Sequence, residues 1–590
     1  IDLIKPFSPL HQVSFSSDKT ISEQLWAIRK GLFPAVGAVR ETGTTVIIED
    51  VAFPIEQLAP ATRDLQELFI KYGYHEAIIF GHALDGNLHF VFTQAFDNDE
   101  EIKRYSDFME DVSQLVAVQY QGSLKAEHGT GRNMAPYVEL EWGKDAYALM
   151  QQIKKIFDPK GILNPGVIIS DDQQLHLKNL KAMPAADTLI DKCIECGFCE
   201  PVCPSKNLTL TPRQRNTVYR EICRLQRSNE NPERLAQMQE SFKYLGVNTC
   251  AATGLCAERC PVDINTGELM RKLRQDHSAV EHKIALWTAN HFATVSKASQ
   301  IGFKVATTAH SLLGEKNMRI ASNALHRVSN HRVPLWSANM PLPAGKTSSI
   351  KITTINKHKV VYFPSCATRN MGPAKTNADS RALKEVTLSL LKKAGYQVIL
   401  PNDLDNQCCG MPYKSKGFIE VYQNKASQLE TALLNASENG KYPILMDTSP
   451  CMSLSKETLD PSLSVFEPFQ FIAQYLLPKL NIKPQQKPVM LHITCTSQRQ
   501  GLASVMQQVA QACATTVIIP EDITCCGFAG DKGFTYPELN TSALAPLKEQ
   551  IPENCSEGYS NSRTCEIGLS DHSGIEYRSI LYLLDKVSSY

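Results

Sequence analysis

The cysteines of this chain fall in a few tight groups, and this distribution constrains the fold more than any other feature of the sequence. Residues 1–192 contain no cysteine, and all 18 cysteines lie between Cys193 and Cys565. Secreted disulfide scaffolds are instead small and carry cysteines throughout. The grouping predicts metal ligation in a reducing compartment. We therefore expect a cytoplasmic protein, or one bound peripherally to the inner face of the cell membrane.

Length and charge exclude several classes of protein. A chain of 590 residues is too long for one hydrophobic core, and about three to five domains are expected. The net charge is zero, so the sequence carries no electrostatic footprint for nucleic acid, and we expect no nucleic-acid partner. The uncharged residues 504–520 are predicted to be a helix followed by a strand and not a membrane span.

Two interlocked cysteine runs predict a pair of iron–sulfur clusters. The first run has the Cys-x2-Cys-x2-Cys-x3-Cys-Pro spacing of bacterial ferredoxins and consists of Cys193, Cys196, Cys199 and Cys203. In such a run the fourth cysteine ligates the other cluster, and a second run is present at Cys250, Cys256 and Cys260. A 4Fe-4S cluster is therefore expected on Cys193, Cys196, Cys199 and Cys260. The second cluster is expected on Cys203, Cys250 and Cys256.

The second run departs from the ferredoxin pattern at one position. Thr253 stands where the middle cysteine is usual, so the second cluster is expected to be 3Fe-4S, or 4Fe-4S with a ligand other than cysteine. The same spacing occurs in the iron–sulfur subunit of succinate dehydrogenase, whose cluster there has three irons. A pair of zinc sites is the alternative, because their ligand spacing overlaps with that of iron–sulfur clusters.

Residues 359–565 contain an internal repeat. Each copy has an apolar strand ending in a cysteine, then a helix, a second strand, a Cys-Cys-Gly element and a final cysteine. The first copy supplies Cys366, Cys408, Cys409 and Cys451, and the second supplies Cys495, Cys525, Cys526 and Cys565. The matched order predicts a duplicated α/β domain, over residues 355–480 and 487–590.

Both copies resemble the cysteine-rich CCG domains of heterodisulfide reductase and of glycolate- and lactate-oxidising complexes. Adjacent cysteines place two thiolates within reach of one metal centre, and the glycine allows close approach of the backbone. The fullest form of that family ends in Cys-x2-Cys, whereas Thr448 and Ser562 stand at the first of these positions here. The resemblance implies a metal centre in each copy. Buried structural thiols are the alternative.

Residues 1–170 are predicted to form an α/β domain in which two histidines flank a turn. His82 and His89 lie on strands predicted at residues 77–82 and 88–93, around Asp85-Gly86. A two-residue hairpin would place His82 directly opposite His89, with Cβ atoms about 5 Å apart, close enough to share a metal ion. The segment Glu127-His128-Gly129 adds a carboxylate and an imidazole. A structural histidine pair is the alternative.

Three segments of this domain, residues 81–89, 126–129 and 157–166, resemble the C-terminal domain of FAD-linked oxidases. That group includes D-lactate, D-2-hydroxyglutarate and glycolate dehydrogenases. With the iron–sulfur and CCG modules behind this domain, the whole chain resembles the large bacterial D-lactate dehydrogenases that reduce a quinone or a cytochrome.

The resemblance assigns roles to individual residues. It implies that His82, His89 and Glu127 hold a divalent metal (Zn, Mn or Fe) and that His128 is the general base. It also implies that Arg29 binds the substrate carboxylate, with Arg40 as a rival, and that Asn164 contacts the flavin. The FAD-binding domain of the family precedes this one, so FAD is expected on a further domain, from the same gene or from another polypeptide.

The expected function is oxidation of a D-2-hydroxy acid, with D-lactate to pyruvate as the preferred case. Electrons would pass from FAD through the iron–sulfur clusters to a quinone or cytochrome. The alternatives are a non-catalytic electron-transfer subunit, a glycolate or D-2-hydroxyglutarate dehydrogenase, and a zinc-dependent scaffold.

The expected architecture is a multidomain α+β protein. An α/β FAD-oxidase C-terminal domain at residues 1–170 precedes a helical ferredoxin-like module at 187–275. A helical linker at 276–350 and the two α/β CCG copies follow.

Overall fold

The computed structural model describes residues 16–329, 333–345 and 358–589. The chain divides into two compact units. The first comprises Ile1–Cys196 and Tyr219–Glu230, and the second comprises Gly197–Val218 and Asn231–Tyr590. The predicted domain limits at residues 1, 350, 355 and 590 lie outside the described residues.

The first unit is an α/β domain built around a small antiparallel sheet. Its elements are α1 (Lys19–Ala38), β1 (Thr45–Ala52), α2 (Leu58–Lys71), β2 (Ile78–His82), β3 (Asn87–Gln94), α3 (Asp99–Ser113), α4 (Val138–Trp142) and α5 (Lys144–Phe157). The three strands have the order β1-β3-β2. A further helix, α6 (Pro212–Ser228), has residues in both units.

One face of this sheet is apolar and packs on the helices that follow β1 and β3. Leu88, Phe90 and Phe92 of β3 share a core with Phe69 of α2 and Phe108 of α3. Because side chains alternate across a strand, His89 projects from the opposite face. There it pairs across the sheet with Asp50 of β1. The core thus fixes which face of the sheet carries the polar residues.

The turn between β2 and β3 differs from the predicted two-residue hairpin. A short 3₁₀ turn, Ala83–Asp85, precedes Gly86, and His82 pairs with Asn87 while His89 pairs with Phe80. The prediction that His82 lies directly opposite His89 was therefore wrong by two residues. A shift of two keeps both side chains on one face, because the side-chain period of a strand is two. The imidazole rings lie diagonally, with centroids 5.7 Å apart.

The second unit begins with short helices around the iron–sulfur loops and a long helical segment. These helices are α7 (Pro232–Phe242), α8 (Leu255–Arg259), α9 (Thr266–Leu273), α10 (Ala279–Asn290) and α11 (Phe292–Val328). The last of these contains a non-helical residue, Gly314, and is two helical stretches that meet there. The helical character predicted for residues 276–335 is confirmed over Ala279–Asn290 and Phe292–Val328, whereas residues 333–335 are not helical.

The first repeat is a parallel α/β fold. It comprises β4 (Pro341–Pro343), β5 (His358–Phe363), α12 (Cys366–Asn370), β6 (Met371–Ala374), α13 (Leu383–Lys393), β7 (Tyr396–Ile399), α14 (Met411–Lys414), α15 (Ile419–Ala436), β8 (Ile444–Met446), α16 (Ser449–Thr458), β9 (Val465–Phe466) and α17 (Pro468–Phe471). Its parallel sheet has the order β7-β5-β8-β9.

The second repeat has the same topology. It comprises β10 (Asn481–Ile482), β11 (Val489–Leu491), α18 (Cys495–Arg499), α19 (Ala503–Cys513), β12 (Val517–Ile518), α20 (Lys532–Thr535), α21 (Pro537–Leu544), β13 (Glu557–Ser560), α22 (Arg563–Ser573), β14 (Glu576–Ser579), α23 (Ile580–Val587) and β15 (Ser588–Ser589). Its parallel sheet, β12-β11-β13-β14, places the strands in the same relative order as in the first repeat.

The two repeats share one hydrophobic core. Val360 and Leu390 of the first repeat belong to the same buried cluster as Leu491, Met506 and Leu583 of the second. Together with the first unit, these elements confirm the predicted multidomain architecture. None of the described helices combines the length and the apolar composition that crossing a lipid bilayer requires.

Candidate functional site

The polar face of the first sheet brings together three imidazoles and a carboxylate. The Nε2 atom of His89 lies 2.9 Å from Oε1 of Glu127, and the Nε2 atoms of His82 and His128 each lie 3.6 Å from the same oxygen. One ligand atom from each of His82, His89 and Glu127 lies within 4.8 Å of the others. This donor set, two imidazoles and one carboxylate, suits a divalent ion such as zinc.

Asp50 holds the Glu127-His128 segment in place. Its Oδ2 atom accepts hydrogen bonds from the backbone N–H groups of Glu127 at 2.7 Å and of His128 at 3.1 Å. These two bonds explain how consecutive residues can both face the site, since the segment is an irregular loop and not a strand. The Nδ1 atom of His128 lies 3.8 Å from Oδ1 of Asp50.

The second oxygen of Asp50 faces two imidazoles. Asp50 is fully buried, and its Oδ1 atom and the Nδ1 atom of His89 are buried without a hydrogen-bond partner. One ligand atom from each of Asp50, His89 and His128 lies within 4.8 Å of the others. A carboxylate in this position favours N–H on the near side of a ring and leaves the far nitrogen free to bind a metal or accept a proton.

Nearby positive charge and backbone N–H groups stabilise the buried carboxylate of Asp50. Burial acts to raise the pKa of Asp50, but the two backbone N–H groups and nearby Lys125 outweigh burial and hold that pKa below its ordinary value. Lys125 lies 3.5 Å from Asp50 and also contacts Glu49, whose pKa burial raises. For His89, burial and then the neighbouring His128 lower the pKa. His89 is therefore neutral at pH 7, the form in which imidazole ligates metals.

The two candidate arginines occupy different places. The Nη2 atom of Arg29, on α1, lies 3.5 Å from Nε2 of His82, and Arg29 is exposed. Arg40 is turned into the protein, where it donates to the carbonyls of Thr44 and Asp191, each at 2.9 Å. Arg29 is thus exposed beside the histidines, whereas Arg40 is engaged in holding the backbone, and a role for either in binding the substrate carboxylate stays a prediction.

Asn164 lies on an exposed loop close to the turn that follows His128. The loop is closed by Asp158, whose carboxylate accepts from the backbone of Ile162 and Leu163, at 3.0 and 2.9 Å. It is tied to that turn by a hydrogen bond from Ile168 N to Gly131 O at 3.1 Å. A role for Asn164 in flavin binding stays a prediction.

Three cysteines of the predicted second cluster line one cleft. Cys203, Cys250 and Cys256 face it together with Thr253. The hydroxyl oxygen of Thr253 accepts a hydrogen bond from Leu255 N at 3.4 Å. Three thiols converging on one cleft, with threonine at the usual place of a fourth, fit an iron–sulfur cluster.

Cations surround these thiols, as the negative charge of a thiolate-bound cluster requires. The Nη1 atom of Arg215, a fully buried residue, lies 3.6 Å from Sγ of Cys203. Burial acts to raise the pKa of Cys250, but Arg215 and Arg274 outweigh burial and leave that pKa below its ordinary value. The two arginines therefore favour the thiolate form of Cys250, the form that binds iron, whereas burial raises the pKa of Cys256 to about 11.

The predicted ligands of the first cluster belong to both units. Cys193 and Cys196 lie in the first unit, and Cys199 and Cys260 lie in the second. Within the first unit, Arg220 holds the loop of Cys193 by donating to its carbonyl at 2.7 Å. The grouping of these four cysteines around one cluster stays a prediction.

Each repeat gathers its four cysteines in the same linear order. In the first repeat, side-chain contacts join Cys366 to Cys408, Cys408 to Cys409 and Cys409 to Cys451. In the second repeat, such contacts join Cys495 to Cys525, Cys525 to Cys526 and Cys526 to Cys565. Six of the eight thiols are buried. The equivalent arrangements are consistent with a metal centre in each repeat, which stays a prediction.

The glycine after each cysteine pair is required by the backbone. Gly410 and Gly527 have φ values of 83° and 72°, a region that favours glycine. A Cβ atom on Gly527 would lie 2.6 Å from the carbonyl oxygen of Leu539. Each turn also directs the glycine N–H to the first thiol of the pair, at 3.4 Å for Cys408 and 3.3 Å for Cys525.

Several functional residues were not found by sequence reasoning. Asp50 and Lys125 at the histidine site, and Arg215 and Arg274 at the second cluster, carry no motif. Asp50 could have been noticed, because Glu49-Asp50 places two carboxylates inside an otherwise apolar strand. Arg215 lies on α6 and Arg274 directly follows α9, and only the fold brings both to the cleft.

Comparison with known protein families agrees with this arrangement. Residues 8–168 match the family described as "FAD linked oxidases, C-terminal domain". The chain carries this domain. Residues 189–264 match a "4Fe-4S dicluster domain", and residues 360–453 and 489–560 each match a "Cysteine-rich domain". The dicluster match supports the two predicted iron–sulfur clusters.

Several 2-hydroxy acid dehydrogenases are distantly similar in sequence to this chain. The glycolate oxidase subunit GlcD of Bacillus subtilis is 31% identical over 25% of this chain and 32% of its own length. The mitochondrial cytochrome-type D-lactate dehydrogenase of Kluyveromyces lactis is 32% identical over 28% of each chain. The D-2-hydroxyglutarate dehydrogenase of Pseudomonas putida is 24% identical over 88% of this chain and 56% of its own length. The chain thus spans less than two thirds of the length of these relatives.

Proposed function

We propose that this chain is the substrate-binding and electron-transfer part of an FAD-dependent dehydrogenase that oxidises D-2-hydroxy acids, with D-lactate to pyruvate preferred. The observation that carries the proposal is the convergence of His82, His89 and His128 on one oxygen of Glu127. Arg29 stands beside His82 and supplies the positive charge that a 2-hydroxy carboxylate needs.

Different residues of the site would bind the substrate and accept its proton. A divalent ion on His82, His89 and Glu127 would lower the pKa of the substrate hydroxyl. Arg29 binds the carboxylate. His128 accepts the hydroxyl proton at Nε2, because its Nδ1 atom faces the Asp50 carboxylate. Bound FAD supplies the acceptor for the C2 hydride.

This arrangement predicts that one enantiomer is preferred, and the resemblance to D-2-hydroxy acid dehydrogenases indicates the D form. Arg29 fixes the carboxylate of the substrate, and His128 together with the ion fixes the hydroxyl. With two of the four groups on C2 fixed, exchange of the hydrogen and the methyl group turns the hydride away from the flavin. L-lactate should therefore react poorly.

The cysteine sites would carry electrons away from the flavin. Two electrons from the substrate leave one at a time through the iron–sulfur clusters and the cysteine-rich repeats to a quinone or a cytochrome. The FAD-binding domain would come from the same gene or from another polypeptide. We place the protein in the cytoplasm or at the inner face of the membrane, where both acceptors can be reached.

D-2-hydroxyglutarate is the second candidate substrate. It is supported by the relative from Pseudomonas putida, because the similarity to that protein extends over 88% of this chain. D-lactate and D-2-hydroxyglutarate share the carboxylate and hydroxyl that the proposed site binds, so both would use the same residues. The C5 carboxylate of hydroxyglutarate would need a further cation.

Anaerobic flavin reduction tests the proposal. The chain joined to its FAD-binding domain is mixed with D-lactate, L-lactate, glycolate and D-2-hydroxyglutarate, and the loss of flavin absorbance is followed. Fastest reduction by D-lactate supports the preferred substrate, and fastest reduction by D-2-hydroxyglutarate supports the second candidate. No reduction by any of them would leave the chain as an electron-transfer subunit.

A further inference from the structure

The iron–sulfur segment meets the second cysteine-rich repeat directly at its cysteines. The hydroxyl of Thr524 donates a hydrogen bond to the carbonyl of Val202 at 3.1 Å. Val202 immediately precedes Cys203, and Thr524 immediately precedes Cys525. Two candidate metal ligands are therefore joined by backbone and one hydrogen bond.

Apolar packing closes the same contact. Val202, Leu255 and Cys525 form one buried cluster, against which Cys495 packs. The exposed fractions of Val202, Leu255 and Cys525 are 8%, 4% and 4%, so little water reaches the contact. Leu255 precedes Cys256, so each side of the cluster contributes a cysteine ligand or the neighbour of one.

Polar contacts fix the second repeat on the iron–sulfur loops at two further points. Arg499, the last residue of α18, donates to the carbonyl of Thr253 at 3.4 Å. Lys532 of α20 donates to the carbonyl of Asn248 at 2.7 Å, close to Cys250. The second repeat thus adds Arg499 to the cationic surroundings of the second cluster and contacts residues next to its ligands.

The first repeat is placed differently. Its buried thiols pack in a core with Ala285, Ala289 and Phe292 of the helical segment. It meets the iron–sulfur segment through a hydrogen bond from Arg274 to the carbonyl of Ser415 at 2.9 Å. Ser415 directly follows α14 and is not next to a cysteine. Among the described residues, therefore, only the second repeat brings its cysteines against the iron–sulfur segment.

We propose that the second repeat receives electrons from the iron–sulfur segment by way of Cys203, Val202, Thr524 and Cys525, and that the first repeat does not receive them directly. The transfer moves one electron: the cluster on Cys203, Cys250 and Cys256 is oxidised, and the centre on the cysteines of the second repeat is reduced. No bond forms or breaks. The inference rests on the redox role of the cysteines in the proposed function, but not on the identity of the substrate.

Magnetic coupling between the two centres tests the proximity without turnover. The iron-loaded chain is titrated with dithionite, and the relaxation of the EPR signal of the second cluster is measured in its EPR-active state, oxidised for three irons and reduced for four. Cys525→Ser is expected to abolish the relaxation enhancement due to the neighbouring centre, and Cys408→Ser, the matched change in the first repeat, is expected to preserve it. The proposal is overturned if only Cys408→Ser abolishes the relaxation enhancement, or if the unaltered chain shows no enhancement.

Electron flow through the hydrogen bond is tested by a smaller change. Thr524→Val keeps the size of the side chain and removes the bond to Val202. Reoxidation of the dithionite-reduced second cluster by menadione, followed by freeze-quench EPR, is expected to slow several-fold. Thr541→Val, an exposed threonine of the same repeat, is the control and should leave the rate unchanged. Equal rates for both variants contradict the route. Because dithionite supplies the electrons, this result is independent of whether any 2-hydroxy acid is oxidised.

Discussion

Replacing Asp50 by asparagine should weaken metal binding at the histidine site without unfolding the domain. The amide oxygen can still accept from the backbone of Glu127 and His128, but the amide NH2 group then faces Lys125 and His128 Nδ1. The charge-assisted bonds of the carboxylate are lost, and the free energy of unfolding should fall by about 2–4 kcal/mol. Because His89 and His128 lose the group that orients them, zinc affinity should fall roughly 10–100-fold, the usual effect of losing such a partner.

Titration with zinc of the iron-loaded chain, whose cysteine sites are already occupied, followed by calorimetry, measures this affinity, and urea unfolding measures the stability. Asp111→Asn is the matched control, because Asp111 pairs with Lys71 and Tyr72 at the surface of the same domain. It should change stability by only about 0–1 kcal/mol and leave zinc affinity unaltered. Wild-type zinc affinity in Asp50→Asn would refute the orienting role that we give to Asp50.

Three further predictions concern the cysteine sites and the repeats. The iron-loaded protein should contain about seven to eight irons in the ferredoxin module, with Cys196→Ser removing the signal of the first cluster and Cys256→Ser that of the second. Zinc in place of iron in protein from iron-replete cells would contradict the cluster assignment. Thr253→Cys should convert a three-iron second cluster, which is EPR-active when oxidised, to a four-iron centre that is silent in that state. An oxidised spectrum that is silent before the change would exclude the three-iron form. Burial raises the pKa of Glu467 to about 7, so the folded state binds a proton that the unfolded state has released, and stability falls as the pH rises from about 4 through 7. Glu467→Gln should remove about 3 kcal/mol of this pH dependence, measured by thermal unfolding between pH 5 and 8.5. An unchanged slope would show that Glu467 is ionised in the folded protein.

The modules could be predicted from the sequence because the fold or the metal ligands of each module require a regular spacing of residues. The cysteine runs, the repeat and the strands of the first domain could be placed from spacing and alternation alone. The hairpin register could not, because it depends on the type of turn. A 3₁₀ turn at Ala83–Asp85 shifts the pairing by two residues while leaving His82 and His89 on one face.

What the sequence could not supply were contacts between residues far apart in the chain. Asp50 meets Glu127 and His128 because Ser123, a few residues before them, bridges to Ala52 at the end of β1. Arg215 reaches Cys203, and Thr524 reaches Val202, through folding of separate elements onto one another. No local pattern encodes these pairs, since each side chain alone is an ordinary charged or polar residue.

The proposed chemistry depends most directly on His128 as the base. In the chain joined to its FAD-binding domain, His128→Ala should slow anaerobic flavin reduction by D-lactate roughly 10²–10⁴-fold, the range for losing a general base. His75→Ala, which removes an exposed histidine of the same domain, should leave the rate unchanged. Metal and iron contents should be equal in both variants, because His128 is not among the proposed ligands. Flavin reduction at the wild-type rate in His128→Ala would contradict the account and leave the histidine cluster a structural feature of the sheet.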